Sequence, residues 1–389
     1  MKILYIIPTY KPSTRYGGTT EVASHLAESL QKKGHEVTVY TTNGNGPDNL
    51  DIPTGRPVTV DGVTVFFFRR YTGDHSHICP GLWLKVLLCA RTFDVVHLHS
   101  WWSPSIVIAA GICKLIGIRP VLSPHGMFCD HVLRTNNRMK KKILHFFSRP
   151  FLKNTWLHVS TEMEWQESQS FLRSSWPGIT LPNPVRVSTP AEPGPRGSGQ
   201  VFTIGFLSRI DPKKGLDLLI RALAAVSFDF RLKIAGSGPE PYLASLKQLA
   251  ARCGIADRIE WVGPKYHGEK FRFLRDLDLF ALTSRNENFA VVVIESLSAG
   301  TPVLVSREVG LAPYVWKNDL GWVTGIGDPG EIVSALERAR AAADKRDRIR
   351  TAAPGIVSGD FDGEAIIDRY SRFYANLIRH GKPVLPMTT

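Results

Sequence analysis

Apolar and polar positions alternate along the chain in a way that predicts an α/β protein. Strands predicted at 2–7 and 35–41 flank an amphipathic helix at 19–33, which Gly34 ends. Further buried runs predict strands at 63–68, 95–99, 120–123 and 156–160. Because a βαβ start favours a parallel sheet with helices on both faces, the first half of the chain is predicted to be doubly wound.

A stretch rich in Pro, Gly and Ser interrupts this pattern at 184–200 and is predicted to be a linker. The alternation then restarts, with strands predicted at 201–207, 231–235, 259–262, 277–283 and 302–306 and helices at 215–226, 241–253 and from Phe289. The predicted domains are an N-terminal Rossmann-like domain, a C-terminal Rossmann-like domain, and a last helix (364–379) with a tail that returns to the first domain; their bounds are 1–183, 201–360 and 361–389.

Two doubly wound domains joined by one linker predict a cleft between them. Open parallel sheets bind ligands beyond the carboxyl ends of their strands. Residues that directly follow the predicted strands are therefore the candidates for chemistry.

Composition fits two globular domains, with 43% hydrophobic and 21% charged residues in 389. No apolar run reaches the ~18 residues that a bilayer span needs, and Pro8 ends the first apolar run too early for a signal peptide. The five cysteines are scattered and form no C-x-x-C pair, which is typical of a reducing cytoplasm without structural zinc. We predict a cytoplasmic protein without a metal, and His75, His77 and Cys79 are not favoured as a metal site.

The net charge of +13 is concentrated in the first half of the chain. Residues 134–153 hold seven Lys and Arg and no acid, and apolar residues such as Phe146 and Phe147 lie among them. This pattern suits an anionic membrane surface, such as the inner face of the cytoplasmic membrane, or a polyanionic ligand. A solvated helix face explains it as well, and no nucleic-acid partner is expected.

Two glutamates, Glu287 and Glu295, bracket a mostly apolar run. Eight helical steps would rotate one about 80° from the other, so they make a poor same-face pair. We therefore predict Glu287 in a loop before a helix that opens near Phe289, with Glu295 two turns into it. The N–H groups of that helix N-terminus, beside Glu287, would bind an anion next to a carboxylate that accepts hydroxyls, as a sugar diphosphate requires.

Two cations follow the strand predicted at 201–207. Arg209 and Lys214 lie in the loop before the next helix, which Gly215 opens. Arginine can bridge two phosphate oxygens and lysine adds a point charge, each contact being worth roughly 1.5–3 kcal/mol. The pair is predicted to hold a diphosphate and to stabilise it as it leaves.

Glycine loops follow two other strands. Gly17 and Gly18 open the first helix, where they allow a phosphate to approach the backbone or simply make a tight turn. They do not form the G-x-G-x-x-G fingerprint of dinucleotide enzymes. Gly236 either shapes a turn that leaves the cleft open or touches the nucleotide.

Histidines end two strands of the first half. His125 is placed to donate to a sugar hydroxyl or to charge that develops in the cleft, although a satisfied structural histidine is the alternative. His99 is expected to reach the cleft, whereas His97 is expected to lie in the core.

Taken together and in order, these motifs resemble the retaining nucleotide-sugar glycosyltransferases of family 4, which have the GT-B fold. The resemblance covers most of the chain and rests on Gly17-Gly18, Gly34-His35-Glu36-Val37, Asp94-Val95-Val96-His97, Pro124-His125-Gly126, Arg209 to Gly215, Ala235 to Pro239, Glu287 to Glu295 and Ala299 to Val303. It implies transfer of a hexose-type sugar to a saccharide or a polyprenyl-diphosphate-linked acceptor, as in bacterial polysaccharide or glycolipid assembly. The nucleotide diphosphate sugar would be a co-substrate, and no cofactor or metal is implied.

The resemblance also implies roles for the residues. Glu295 would bind the ribose, and Arg209 and Lys214 the diphosphate, with Gly17 and Gly18 assisting. Glu287 and the backbone amides of Asn288, Phe289 and Ala290 would hold the donor sugar, and His125 would contact that sugar near its reacting carbon. The family commonly has Pro-Phe-Gly where this chain has Asn288-Phe289-Ala290, so its donor preference transfers less directly.

Two alternatives remain at this stage. A nucleotide-sugar 2-epimerase shares the same two-domain fold. A non-catalytic protein that binds a polyanion or a membrane would account for the basic segment without needing Glu287.

Overall fold

The computed structural model describes residues 1–13, 18–74, 76–129, 132–133, 138–185 and 201–381, which form two compact units. The first unit comprises Met1–Pro184 and the C-terminal segment from Gly363, and the second is Val185–Asp362. The predicted domain limits at 183 and 361 lie close to these divisions. Most of the predicted linker, from 186 to 200, lies outside the described residues.

The first unit contains an eight-stranded sheet in the order β10-β9-β8-β7-β1-β2-β6-β5, parallel except for β5. Its strands are β1 (Lys2–Ile6), β2 (Glu36–Thr42), β5 (Pro57–Val60), β6 (Val63–Phe68), β7 (Val95–His99), β8 (Val121–Ser123), β9 (Trp156–Val159) and β10 (Gly178–Thr180). Strands β3 (Gly44–Asn45) and β4 (Asp48–Asn49) form a separate small hairpin. Alternate residues of the central strands, such as Leu4, Leu98 and Leu122, are fully buried and form the core under the helices.

Helices cover this sheet. They are α1 (Gly18–Lys32), α2 (Pro80–Cys89), α3 (Pro104–Leu115), α4 (Arg138–Leu152), α5 (Glu162–Leu172) and the C-terminal helix (Gly363–His380). Helices α2, α3 and α4 pack side by side, while the C-terminal helix packs against α1 and β7. Tyr370 and Tyr374 of the C-terminal helix are completely buried in the first unit. This confirms the prediction that the last helix returns to the first domain.

The second unit is a six-stranded parallel sheet in the order β13-β12-β11-β14-β15-β16. Its strands are β11 (Phe202–Leu207), β12 (Phe230–Ala235), β13 (Ile259–Trp261), β14 (Leu279–Leu282), β15 (Val303–Ser306) and β16 (Gly321–Thr324). Its helices are α6 (Leu216–Leu223), α7 (Glu240–Arg252), α8 (His267–Arg275), α9 (Val291–Ser298), α10 (Ala312–Lys317), α11 (Pro329–Ala341) and α12 (Ala343–Asp360). The strand order reverses between β11 and β14, which is the switch point where such sheets bind ligands.

Each predicted strand is present to within two residues at either end. The strands that the pattern missed outside the small hairpin are β5, β10 and β16, and all three lie at sheet edges. Edge strands are paired on one side only and need fewer buried residues, so they leave a weak pattern. Within the described residues, no helix has both the length and the apolarity to cross a bilayer.

Candidate active site

The loops after β11 and β14 meet at the switch point of the second sheet. The Lys214 ammonium pairs directly with the Glu287 carboxylate, although the two residues are 73 positions apart. The Arg285 guanidinium donates two hydrogen bonds to the Asp217 carboxylate, at 2.8 and 2.7 Å. The structure therefore brings together the predicted diphosphate lysine and the predicted sugar-binding glutamate.

Close backbone contact makes this meeting of loops possible. The Asp211 carboxylate accepts from the Lys213 N–H at 2.9 Å and starts a 3-10 turn at Pro212–Lys214. Gly215 ends the turn at a φ of 66°, and a Cβ there would lie 1.9 Å from the Thr283 carbonyl oxygen. The Thr283 hydroxyl donates back to the Gly215 carbonyl at 2.8 Å. Only glycine has both the conformation and the clearance for this position.

Arg285 holds the lysine turn from the β14 side. Its backbone N–H donates to the Lys213 carbonyl at 2.8 Å, and its Nη1 donates to the Pro212 carbonyl at 2.7 Å. Burial alone would raise the pKa of Asp217, but the Arg285 hydrogen bonds and charge outweigh it and lower that pKa below its ordinary value. Sequence reasoning missed Arg285 and Asp217, since nothing in the order of residues connects them.

Arg209 lies in the adjacent loop and is exposed. The backbone beside it is fixed by two hydrogen bonds, from Ser208 N to the Ala235 carbonyl (3.1 Å) and from Ile210 N to the Ser237 carbonyl (2.8 Å). A Cβ on Gly236 would lie 1.9 Å from the Ser208 carbonyl oxygen, so this glycine is required for the contact between the two loops. The Arg209 side chain has no hydrogen-bond or ion-pair partner in the part of the chain that the structure describes, and it is available to a ligand.

A third loop, after β15, fixes the backbone of Glu287. The Glu287 N–H donates to the Glu308 carbonyl at 2.9 Å, and the Glu287 carbonyl accepts from Gly310 N at 2.8 Å. Two side-chain oxygens buried in these loops, Ser284 Oγ and Glu308 Oε2, have no hydrogen-bond partner among the described residues. A buried polar atom without a partner costs about 1–3 kcal/mol, so water or a ligand that donates to these oxygens would stabilise the loops.

Helix α9 begins at Val291, two residues later than predicted. Its N-cap, Ala290, has the left-handed conformation with φ 62° and ψ 66°. The Phe289 side chain is buried and packs against Phe361 with ring centroids 6.0 Å apart, so only its backbone faces the loop. The N–H groups of Val291 and Val292 at the start of α9 have no partner within the helix and lie at the end that carries Asn288 and Glu287. The N–H of Val293 donates to the Ala290 carbonyl at 2.9 Å.

Replacing Ala290 by glycine is expected to stabilise the protein by about 0.5–1 kcal/mol. The left-handed conformation costs an L-residue about 1–2 kcal/mol, and glycine avoids this cost. Glycine also loses more chain entropy on folding, which reduces the net gain in stability. The matched control is Ala224→Gly at an exposed helix end with φ −69°, which should be neutral or destabilising. Urea unfolding of both variants measures the effect, and destabilisation by Ala290→Gly would contradict the assigned strain.

Glu295 lies one turn into α9, not two as predicted, because the helix starts later. Its side chain is almost fully buried, and its carboxylate pairs with the Lys270 ammonium of α8. Sequence reasoning missed Lys270. A buried carboxylate without a partner would be strongly destabilising, so Lys270 compensates the charge of Glu295 when no ligand is present.

In the first unit, His125 follows β8 in a turn with φ 53°. The Gly126 N–H donates to the Glu164 carboxylate at 2.6 Å, and the other oxygen of that carboxylate accepts from Ser160 N at 2.9 Å. The ring nitrogens His125 Nε2 and His99 Nδ1 lie 3.1 Å apart. Glu164, which the sequence did not single out, thus fixes the turn that presents His125.

His99 is buried beneath His125, and its Nε2 atom has no partner among the described residues. His97 lies in the core as expected, between the Tyr374 hydroxyl (2.7 Å) and Ser123 Oγ (2.6 Å). Burial lowers the pKa values of His97, His99 and His125 well below the ordinary value, so all three imidazoles are neutral at pH 7.

Several residues and segments that the sequence singled out lie outside the residues that the structure describes. Gly17, His75 and 134–137 are not among the described residues, while Gly18 is the first residue of α1. A Cβ on Gly18 would meet nothing within 4 Å, so packing does not require glycine there. Within the described ranges, no group of three or more His, Cys, Asp or Glu is arranged to hold a metal ion.

Two family sequence models match this chain. The model described as glycosyl transferases group 1 matches residues 195–355, and that described as glycosyltransferase family 4 matches residues 16–166. The chain belongs to the family 4 glycosyltransferases. The first match contains the Lys214 and Glu287 loops, and the second contains the His99 and His125 turns.

A curated relative of this glycosyltransferase is the D-inositol 3-phosphate glycosyltransferase of Mycolicibacterium smegmatis. The two are 26% identical over 97% of this chain and 91% of the relative. Among solved structures, sucrose-phosphate synthase from Thermosynechococcus elongatus is similar at a TM-score of 0.77, with 16% identity over 97% of this chain and 99% of that one. Anabaena HepE in complex with UDP-glucose is similar at 0.74, with 18% identity over 97% and 100%. These likenesses confirm the predicted GT-B fold.

Proposed function

We propose that this glycosyltransferase moves a hexose-type sugar from a nucleoside diphosphate sugar to a saccharide or lipid-linked saccharide in cell-surface polysaccharide assembly. The proposal rests on the contact between Lys214 and Glu287 at the switch point of the second sheet. This contact places a cation suited to a diphosphate next to a carboxylate suited to sugar hydroxyls.

Arg209 is proposed to be a second cation of the donor site. It is exposed in the loop next to the Lys214 turn, and its guanidinium can bridge two phosphate oxygens. Glu295 then accepts the ribose hydroxyls, and Lys270 shares its charge. The complex of Anabaena HepE with UDP-glucose supports a donor of this class.

Transfer is proposed to retain the configuration at the anomeric carbon. The acceptor oxygen bonds to that carbon on the side from which the diphosphate departs, while the bond from carbon to phosphate oxygen breaks. The acceptor proton passes to an oxygen of the leaving phosphate. Arg209, Lys214 and the N-terminus of α9 stabilise the charge that develops there. In other enzymes, removing one such hydrogen-bond donor lowers kcat by about 10²–10³-fold. We propose no metal or cofactor for this step.

His125 is proposed to contact the donor sugar. Burial keeps its imidazole neutral at pH 7, so it acts as a hydrogen-bonding group and not as a cation. Glu164 fixes the turn through Gly126, and His99 lies against the ring from below.

Turnover of a donor panel tests the proposal. The protein is incubated with UDP-, GDP- and ADP-hexoses and with saccharide and polyprenyl-diphosphate-linked saccharide acceptors, and products are examined by NMR. The expected result is one nucleoside diphosphate released for each sugar transferred, with the donor's anomeric configuration in the product. An inverted product would overturn the retaining mechanism. Release of free nucleotide with a 2-epimerised sugar and no transfer would overturn the proposed transfer.

A further inference from the structure

Among the residues that the structure describes, the exposed hydrophobic side chains are unevenly distributed. Fourteen large ones are exposed, and eight of these lie on α2, α3 and α4. The eight are Leu84, Leu87, Leu88, Ile108, Leu115, Ile143, Phe146 and Phe147. Phe146 and Phe147 are 76% and 68% exposed, which is costly for aromatic side chains in water.

These helices form one continuous layer over the sheet of the first unit. Helix α3 packs against both α2 and α4. A Cβ on Gly111 of α3 would lie 3.2 Å from the Phe151 ring of α4, so these two helices are in close contact. Their outward side chains therefore share one surface, named here the α2–α4 face. Monomeric proteins rarely expose apolar patches of more than a few hundred Å², and larger ones mark interaction sites.

The charge of this face is entirely of one sign. Helices α2, α3 and α4 contain no acidic residue, and residues 95–161 hold nine Lys and Arg against one acid, Asp130. Lys114, Lys142 and Arg149 are exposed on α3 and α4. A cationic surface with protruding aliphatic and aromatic side chains complements an anionic lipid bilayer, whose headgroups meet the cations and whose acyl region accepts the apolar groups.

We infer that the α2–α4 face docks this protein on an anionic phospholipid bilayer. The surface is wider than residues 134–153, because α2 and α3 contribute five of the eight exposed apolar side chains. Phe146 and Phe147 enter the interface, and Lys114, Lys142 and Arg149 lie at the level of the headgroups. Docking of this kind places the face at the membrane interface, with its apolar side chains at the boundary between headgroups and acyl chains.

Flotation of the full chain with lipid vesicles tests the inference, and it requires neither donor nor acceptor. The probes are vesicles of phosphatidylcholine alone and of an equimolar mixture with phosphatidylglycerol. The expected result is binding to the anionic vesicles that falls at least about tenfold between about 0.05 M and 0.5 M salt, and much weaker binding to the neutral ones. Absence of binding to the anionic vesicles at low salt would overturn the inference.

Matched variants identify the face. Phe146→Gln with Phe147→Gln should weaken vesicle binding at least about tenfold, while Tyr266→Gln with Trp316→Gln, two exposed aromatics of the second unit, should not change it. Lys142→Gln with Arg149→Gln should likewise weaken it more than Arg272→Gln with Lys317→Gln. Equal effects of the test and control pairs would overturn the assignment. A second result would also overturn it: the protein forms a dimer in sedimentation equilibrium, the Phe146→Gln, Phe147→Gln variant is monomeric, and the protein does not bind vesicles. A second copy of the chain would then cover the face.

Discussion

Replacing Lys214 by methionine is expected to lower kcat/KM for sugar transfer by about 10²–10³-fold. The variant keeps an unbranched stem of similar length and removes the ammonium group that faces Glu287 at the switch point. Lys213→Met is the matched control, because Lys213 lies in the same turn and its side chain makes no hydrogen bond or ion pair with the described residues. The control should change kcat/KM by less than about threefold, as expected for a half-buried cation without an ion-pair partner.

Stability separates a role in catalysis from a role in folding. The side chains of Lys214 and Glu287 are 14% and 19% exposed, so removing either charge leaves its partner partly buried and should cost about 1–3 kcal/mol. The double variant Lys214→Met with Glu287→Gln should recover part of that loss in urea unfolding and none of the activity. Recovery of activity in the double variant would show that the pair serves the fold alone.

Acid is expected to destabilise the first unit selectively between pH 7 and pH 5. His97, His99 and His158 are buried and held neutral, and burial lowers the pKa of His158 to about 4 and those of the other two well below 6.5. These pKa values are lower in the folded state than in the unfolded state, so unfolding takes up protons below pH 6.5. The contribution is therefore complete above about pH 6.5 and is lost as the pH falls towards 4, by about 1.4 kcal/mol for each histidine and pH unit.

Hydrogen exchange read separately for the two sheets measures this effect. The second unit contains a single histidine, His267, and is the internal control. Protection of β7 and β8 should fall steeply from pH 6.5 to pH 5 after correction for the intrinsic exchange rate, while that of β11 and β14 should change little. Equal loss of protection in the two sheets would show that the buried histidines are not its source.

The sequence was a good guide to the strands and to the loops that follow them, while the type of site stays a prediction. Strands buried on both sides produce unbroken apolar runs, and the residues after them belong to the carboxyl edge of a parallel sheet whatever the exact topology. That reasoning was sufficient to select Arg209, Lys214, Glu287 and Glu295. Which of these residues touch depends on strand order, because β11 and β14 are neighbours although β12 and β13 lie between them in the chain.

The contacts that sequence reasoning missed are long-range or depend on backbone conformation. Lys270 reaches Glu295 from another helix, and Tyr374 reaches His97 across 277 positions. The delayed start of α9 follows from the left-handed Ala290, and alanine gives no signal of that conformation where glycine would have done so. Such features follow from tertiary packing and have no local periodicity.

A crystal structure of the protein with a bound nucleoside diphosphate sugar tests the central claim most directly. We predict diphosphate oxygens within about 3 Å of the Arg209 guanidinium and of Lys214 Nζ, with sugar hydroxyls on the Glu287 carboxylate and ribose hydroxyls on that of Glu295. A donor whose diphosphate lies away from Arg209 and Lys214, with the Lys214 and Glu287 pair unchanged, would contradict the assignment of these residues.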